Sequence, residues 1–200
     1  MEWAVLVLPT VRFEVGGSAG GRRIVESMHN FCGGHKARNL RARSVYVVPA
    51  DGQPYQGRRA HSRRNAVNRV KSAGIRIESV SPERLFADAS LHTLGICPDA
   101  PECDGLTMVA FHGDSGLLAM SHAHIDGTVA ELRQAVHAAD NPLTDPLRYA
   151  MFAAVVKELA VNQVLLVVEF GNYLRSSKGR RQYQHVLGYR PVNLRVRLKD

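Results

Sequence analysis

The period of apolar positions changes repeatedly along this chain, and each change marks an element. Trp3 to Leu8 is an unbroken apolar run closed by Pro9, and Val11 to Val15 alternates, which predicts an early strand. Ser44 to Pro49, around Val45-Tyr46-Val47-Val48, predicts a second strand, followed by a turn-rich link to Gly57. Ala66, Val67, Val70 and Ala73 share one helical face that Gly74 terminates, and Ile75 to Val80 then alternates as a strand. Ser81-Pro82-Glu83 opens a further helix to about His92, with Ser as the cap and Pro in the first turn. Leu106 to His112 and Leu117 to Ile125, joined by Gly113-Asp114-Ser115-Gly116, read as a hairpin. Thr128 to Ala139 reads as a helix, and Asp140 to Pro146 as a breaker.

The last fifty residues, from Leu147 to Asp200, organise the rest. They read as helix (Leu147–Ala160), buried strand (Gln163–Phe170), loop, short helix and a closing strand after Gly188-Tyr189-Arg190-Pro191. Strands flanked by helices in this order predict an α/β (α+β) fold: one mixed, mostly antiparallel sheet flanked by helices. At 200 residues, the expectation is a single domain, residues 1–200, with a sizeable core. Val164 to Val168 is an apolar stretch of strand length, and no apolar run reaches the length of a membrane span. The acid at position 2 and the lack of basic residues before the first apolar run argue against a signal peptide. Cys32, Cys97 and Cys103 are odd in number, which fits a reducing compartment. The expectation is a cytoplasmic protein of bacterial style.

Charge placement changes this picture most. Residues 1 to 80 hold fourteen Lys and Arg against five acids, residues 81 to 170 four against twelve, and the last thirty eight against one. Two basic ends around an acidic middle predict a basic face built jointly by both ends, suited to a polyanion such as tRNA or another nucleic acid. Arg58, Arg59, Arg63, Arg64, Arg69 and Lys71 give the predicted helix an almost wholly basic outer surface and are its candidate phosphate-binding residues.

Other candidates are local. Gly16-Gly17-Ser18-Ala19-Gly20-Gly21 precedes Arg22, Arg23 and a helical segment, where exposed N–H groups can cradle a phosphate; the alternative is a flexible connection. Cys32 and His35 have a ligand-like separation, but Cys97 and Cys103 lack knuckle spacing, so no metal site is expected. His122 and His124 point to one sheet face and can serve as bases or ligands. Glu169, at the end of an apolar strand, has the setting of a carboxylate with a raised pKa, or of a partner to a C-terminal arginine.

Ser62-Arg63-Arg64-Asn65, running through Ala73-Gly74-Ile75, resembles a segment of FemAB-type aminoacyltransferases. The order of hairpin, proline loop, helix, strand and Gly188-Tyr189 ending, over residues 58 to 198, resembles the GNAT (N-acetyltransferase-like) superfamily and its FemAB-like branch. The resemblance implies a sheet split between two middle strands, here Leu117–Ile125 and Gln163–Phe170, with the acyl donor in the split. Leu147–Ala160 would be the helix that holds the donor's phosphates, and Arg148, Arg180 and Arg181 the cations that bind it. The superfamily's Gly-rich phosphate loop is absent. Asp145 instead reads as N-cap with Pro146 after it, a carboxylate that would occupy the N–H groups a pyrophosphate needs. Gln184 stands where a tyrosine acid is usual, with Tyr183 one step away, about 100° around a helix.

The resemblance therefore implies an acyltransferase moving an acyl or aminoacyl group from a thioester or ester donor to an amine acceptor. Acyl-CoA fits the departures less well than an acyl-carrier or aminoacyl-tRNA donor. Glu169 and His124 are the candidate bases, Tyr173 and Tyr183 the candidate acids. The alternatives are a nucleic-acid-binding protein without catalysis and a catalytically inactive scaffold of the same fold.

Overall fold

A computed structural model of the chain describes residues 8–30, 42–81, 84, 105–113, 116–138 and 142–199. Trp3 to Val7 of the first apolar run, all three cysteines, His35, the tip of the hairpin turn and all but Arg84 of the helix predicted after Ser81 lie outside the described residues.

Eight strands form one sheet: β1 (Thr10–Val15), β2 (Ala42–Val47), β3 (Ile75–Val80), β4 (Gly105–His112), β5 (Gly116–Asp126), β6 (Val129–His137), β7 (Leu166–Glu169) and β8 (Arg190–Leu198). Four α-helices whose full range lies among the described residues accompany them: α1 (Ala19–Asn30), α2 (His61–Ser72), α3 (Thr144–Val161) and α4 (Lys178–Leu187). The strand order is β1-β8-β2-β7-β6-β5-β4-β3. Only β1–β8 and β6–β7 run parallel; the other neighbours are antiparallel. The architecture is the mixed, mostly antiparallel α/β sheet that the sequence predicts.

The segment predicted as the helix Thr128–Ala139 is strand β6. Ala130, Glu131, Leu132, Gln134 and Ala135 carry good helix propensity, but β5 pairs with this segment along one edge and β7 along the other. Two-sided pairing decides the outcome. Ala130 and Leu132 then join the core under α3, while Glu131 turns to the opposite face and meets Ser27 of α1.

The main core lies between the sheet and α3. Leu147, Met151, Phe152, Val155, Val156 and Leu159 of that helix pack on Tyr46, Ala130, Val167 and Tyr189. Phe152 meets Tyr46 and Tyr189 with ring centroids 5.1 and 5.7 Å apart. Val67 and Val70 of α2 join this cluster, as their helical spacing predicts. On the other face Val45, Val129, Val168, Val192 and Leu194 form a second cluster. α1 covers part of that face, with Ile24 fully buried.

The Gly-rich turn before α1 is closed by a carboxylate from the chain itself. Asp126, ending β5, accepts hydrogen bonds from Gly16 N and Ser18 Oγ, and Ser18 Oγ accepts from Gly21 N at 2.9 Å. The place proposed for a phosphate is thus filled by Asp126. A Cβ on Gly21 would come 2.2 Å from the Gly16 carbonyl oxygen, so the glycine here permits a close backbone approach.

Candidate active site

The site starts where β6 and β7 stop pairing. Their parallel register runs from Val129↔Leu166 to Leu132↔Glu169, and Phe170 N donates to Leu132 O at 3.0 Å. The β5–β6 register shifts at the same level, with His122 opposite Gln134 but Ala123 opposite Leu132. Arg133 is therefore the extra residue of a β-bulge, which bends β6 away from β7. The split lies between β6 and β7, not between Leu117–Ile125 and Gln163–Phe170 as the sequence predicts; the misplacement follows from reading β6 as a helix.

The opening is a cleft of about 510 Å³, walled by β6, the end of β7, α3 and α4. Arg133, His137, Arg148, Glu169, Arg180 and Tyr183 reach it. A smaller apolar recess of about 50 Å³ continues inward among Met151, Phe152, Val155 and Leu187. The cleft thus joins a polar, cationic mouth to an apolar floor, a common form for a small-molecule site.

Glu169 lies between mouth and floor. Arg180 Nη2 donates to its Oε1 at 2.8 Å and to the Phe170 carbonyl at 2.8 Å. Ser177 caps α4 by accepting from Arg180 N at 3.2 Å, which fixes where Arg180 begins. Burial raises the Glu169 pKa. The Arg180 charge, its hydrogen bond, and interactions with Gln184 and Tyr189 oppose that rise without cancelling it. The buried Tyr189 hydroxyl makes no hydrogen bond of good geometry among the described residues, yet it lies near enough to act on the Glu169 carboxyl.

Tyr183 and Gln184 divide the roles that their one-residue offset predicts. Gln184 is buried, and its Oε1 accepts from Ser44 Oγ at 2.8 Å. Tyr183 faces the cleft and directs its hydroxyl to the Arg148 carbonyl at 3.4 Å. Burial, followed by the nearby Glu169 charge, pushes the Tyr183 phenol up, so it keeps its proton at neutral pH. His137 moves the other way, to about 4, through burial and then the Arg148 charge, with Asp145 opposing. It is neutral at physiological pH.

The remaining predicted residues lie elsewhere. His124 is buried and pairs across strands with Glu131, which bonds α1, so it lies on the face opposite Glu169. It shares that face with His122, 5.1 Å away ring to ring, and His122 Nδ1 is 2.8 Å from Thr107 Oγ1. Neither histidine reaches the cleft. Tyr173 is anchored by its backbone N–H to Ala42 O and is not part of the cleft wall. Arg181 clamps the β7–α4 loop by donating to Leu174 O and Ser176 O.

Asp145 does not cap α3. The cap position is Leu143, without a side-chain hydrogen bond, and Asp145 projects to solvent and pairs with Arg148 at 3.4 Å. On α2, Arg63 donates to Val186 O and lies over the Tyr55 ring, while Arg64 donates to Tyr55 O and Gly57 O. Arg69 and Lys71 remain outward, as does Arg58 on the 3-10 turn before the helix; the Arg59 side chain lies outside the described residues. No cluster of potential metal ligands occurs among the described residues. His137 and Arg133 carry no sequence motif, and the mistaken helix over 128–139 hid the alternation that brings His137 to the cleft.

No known family profile and no curated protein matches the chain. Solved structures do match. FemX superposes with a TM-score of 0.58 at 11% identity, over 76% of this chain and 60% of that one. The C-terminal domain of a putative lysylphosphatidylglycerol synthetase from Agrobacterium fabrum gives 0.57 at 13% identity, over 76% and 60%. The fold is GNAT-like, of the FemAB-like kind. An L-PGS structure from Bacillus licheniformis agrees, with a TM-score of 0.53, 10% identity, and coverage of 75% and 57%. This chain thus spans about three-fifths of the length of the structures it resembles. No described helix is long and apolar enough to cross a membrane.

Proposed function

We propose that this chain transfers an aminoacyl or acyl group from an ester or thioester donor to an amine acceptor, in the cleft between β6 and β7. The observation that carries the reading is the position of Glu169. It ends a core strand at the point where the sheet opens, it is largely buried with a raised pKa, and a protonated phenol, Tyr183, faces the same cleft. The sharing of this fold with FemX and with lysylphosphatidylglycerol synthetase domains supports the same reading.

In the transfer, the acceptor amine attacks the donor carbonyl, a C–N bond forms, and the C–O or C–S bond to the carrier breaks. The ionised Glu169 takes the proton that the amine loses, and its raised pKa makes it a stronger base than an ordinary carboxylate. Tyr183 supplies a proton to the departing oxygen or sulfur. Arg148, at the cleft wall, faces the negative charge that develops on the carbonyl oxygen. Neutral His137 offers a hydrogen-bonding group without adding a second positive charge beside Arg148.

An ester-linked donor such as aminoacyl-tRNA fits better than acyl-CoA. α3 begins Thr144-Asp145-Pro146: the proline removes a backbone donor from the first turn, and the acid adds negative charge there. Single-turnover assays with aminoacyl-tRNA, acyl-carrier and acyl-CoA donors, using wild type and Glu169→Gln, test the proposal. Transfer from at least one donor, lost in Glu169→Gln, is the expected result. Equal turnover by the two proteins would sink the assignment of Glu169.

A further inference from the structure

The first and last strands bring basic residues from both ends of the chain onto one surface at the β1 edge of the sheet. β1 and β8 pair in parallel, placing Arg12 beside Arg195 and Glu14 beside Arg197. On both strands the alternate residues (Val11, Phe13, Val192, Leu194 and Val196) belong to the apolar cluster on the α1 side. The arginines therefore point to the opposite face. There they line an open groove of about 600 Å³ with Glu14. The side chains of Arg12, Arg195, Arg197 and Glu14 form no ion pair, hydrogen bond or ring contact among the described residues.

We infer that this β1–β8 shelf is a docking surface for the phosphodiester backbone of RNA. Three unpaired guanidiniums against one carboxylate give the groove a net positive charge, complementary to a polyanion. A strand rise of about 3.3 Å per residue puts Arg195 and Arg197 roughly 6.6 Å apart, comparable to the spacing of successive phosphates along a nucleic-acid strand. Arg12, one strand over, widens the contact across the groove. Guanidinium groups suit phosphate because their donors form a planar fork that can bond two oxygens. A concave groove fits a strand-like polyanion better than a flat lipid surface. The basic helix α2, which the sequence favours for this role, has Arg63 and Arg64 engaged with backbone carbonyls.

The shelf does not depend on the transfer chemistry, and the test keeps the two apart. Fluorescence anisotropy with a short single-stranded RNA, across a salt titration, would compare wild type with the triple variant Arg12→Ala, Arg195→Ala, Arg197→Ala. Binding should weaken at least about tenfold, and the slope of log affinity against log salt should fall by about 2. The corresponding triple lysine variant should retain most of the affinity, and Arg58→Ala, Arg69→Ala, Lys71→Ala should leave it nearly unchanged. Circular dichroism checks folding, and Arg195→Glu alone gives a second, milder variant expected to lose affinity. Glu169→Gln should bind RNA as wild type does, whatever it does to transfer. The proposal is overturned if shelf variants bind RNA normally, if only the α2 variant loses binding, or if wild type binds no RNA. Binding to phosphatidylglycerol vesicles but not to RNA would overturn it equally.

Discussion

Arg180 Nη2 stands 2.8 Å from Glu169 Oε1, so one guanidinium joins α4 to the carboxylate at the end of β7. The pair is unequal, with the glutamate side chain 16% exposed and the arginine 45%. Removing the arginine therefore leaves a largely buried carboxylate without its counter-charge. Arg180→Gln should raise the Glu169 pKa further and move the rising limb of the transfer pH–rate profile to higher pH. At pH 7 the rate should fall about tenfold or more. A profile unmoved on the pH axis would show that Glu169 ionisation does not govern the reaction.

Glu169→Gln separates activity from stability. Burial holds the folded-state pKa of Glu169 above its unfolded value, so its contribution is present at low pH and is lost as pH rises through the folded pKa. The neutral amide has no such loss. At pH 8 the variant should melt no lower than wild type, although transfer falls about a hundredfold or more. Thermal melts at pH 5 and pH 8 check the sign.

His137 gives a pH dependence of the opposite kind. Its folded pKa lies near 4, below that of the unfolded residue. Stability that is present above about 6.5 should therefore decline as pH falls toward 4. His137→Gln should flatten this decline, read as the urea midpoint at pH 7 and pH 4.5. An unchanged decline would mean that other groups carry it.

The turn before α1 should be intolerant of any side chain at position 21. Gly21→Ala would press a methyl group onto the Gly16 carbonyl and the Asp126 side chain, costing about 2 kcal/mol or more. Asp126→Ala removes the acceptor of Gly16 N and Ser18 Oγ and should cost about 1.5–3 kcal/mol. Chemical denaturation measures both.

The hydrogen bond from Ser44 to Gln184 allows a further test of Tyr183, the neighbour of Gln184 on α4. Ser44→Ala leaves the buried Gln184 Oε1 without its donor, at a cost of about 1–3 kcal/mol. Transfer should fall less than in Tyr183→Phe, because Tyr183 reaches the cleft and Gln184 is held from behind. Similar losses in both variants would argue against Tyr183 as the acid.

Much of this architecture was legible in local pattern. The alternation at Val11–Val15 and Ile75–Val80, the hairpin strands, and the α3–β7–α4–β8 succession follow from the period of the apolar positions and from the Gly188-Tyr189 ending. β6 did not, because its Ala, Glu, Leu and Gln favour a helix until strands distant in sequence pair with both edges. That one error moved the expected split by a strand and brought His124 toward a site on the other face. Glu169 stood out as an ionisable side chain ending an apolar strand, whereas Arg148, Arg180 and Tyr183 entered through the family resemblance; the structure places all four on the wall of one cleft. His137 and Arg133 acquire their places only through the bulge. The arginines of α2 showed a different limit: composition registers the charge but not the carbonyls that Arg63 and Arg64 already serve.

The parallel pairing of Thr10 with Asn193 also bears on how the molecule forms. That contact closes nearly the whole length of the chain, and its entropy cost is met only once the intervening strands have provided a surface to dock on. The β1–β8 edge should therefore be among the last parts to assemble. Arg12 and Arg195 become neighbours only in the completed fold, so RNA affinity at the shelf would report folding as well as recognition.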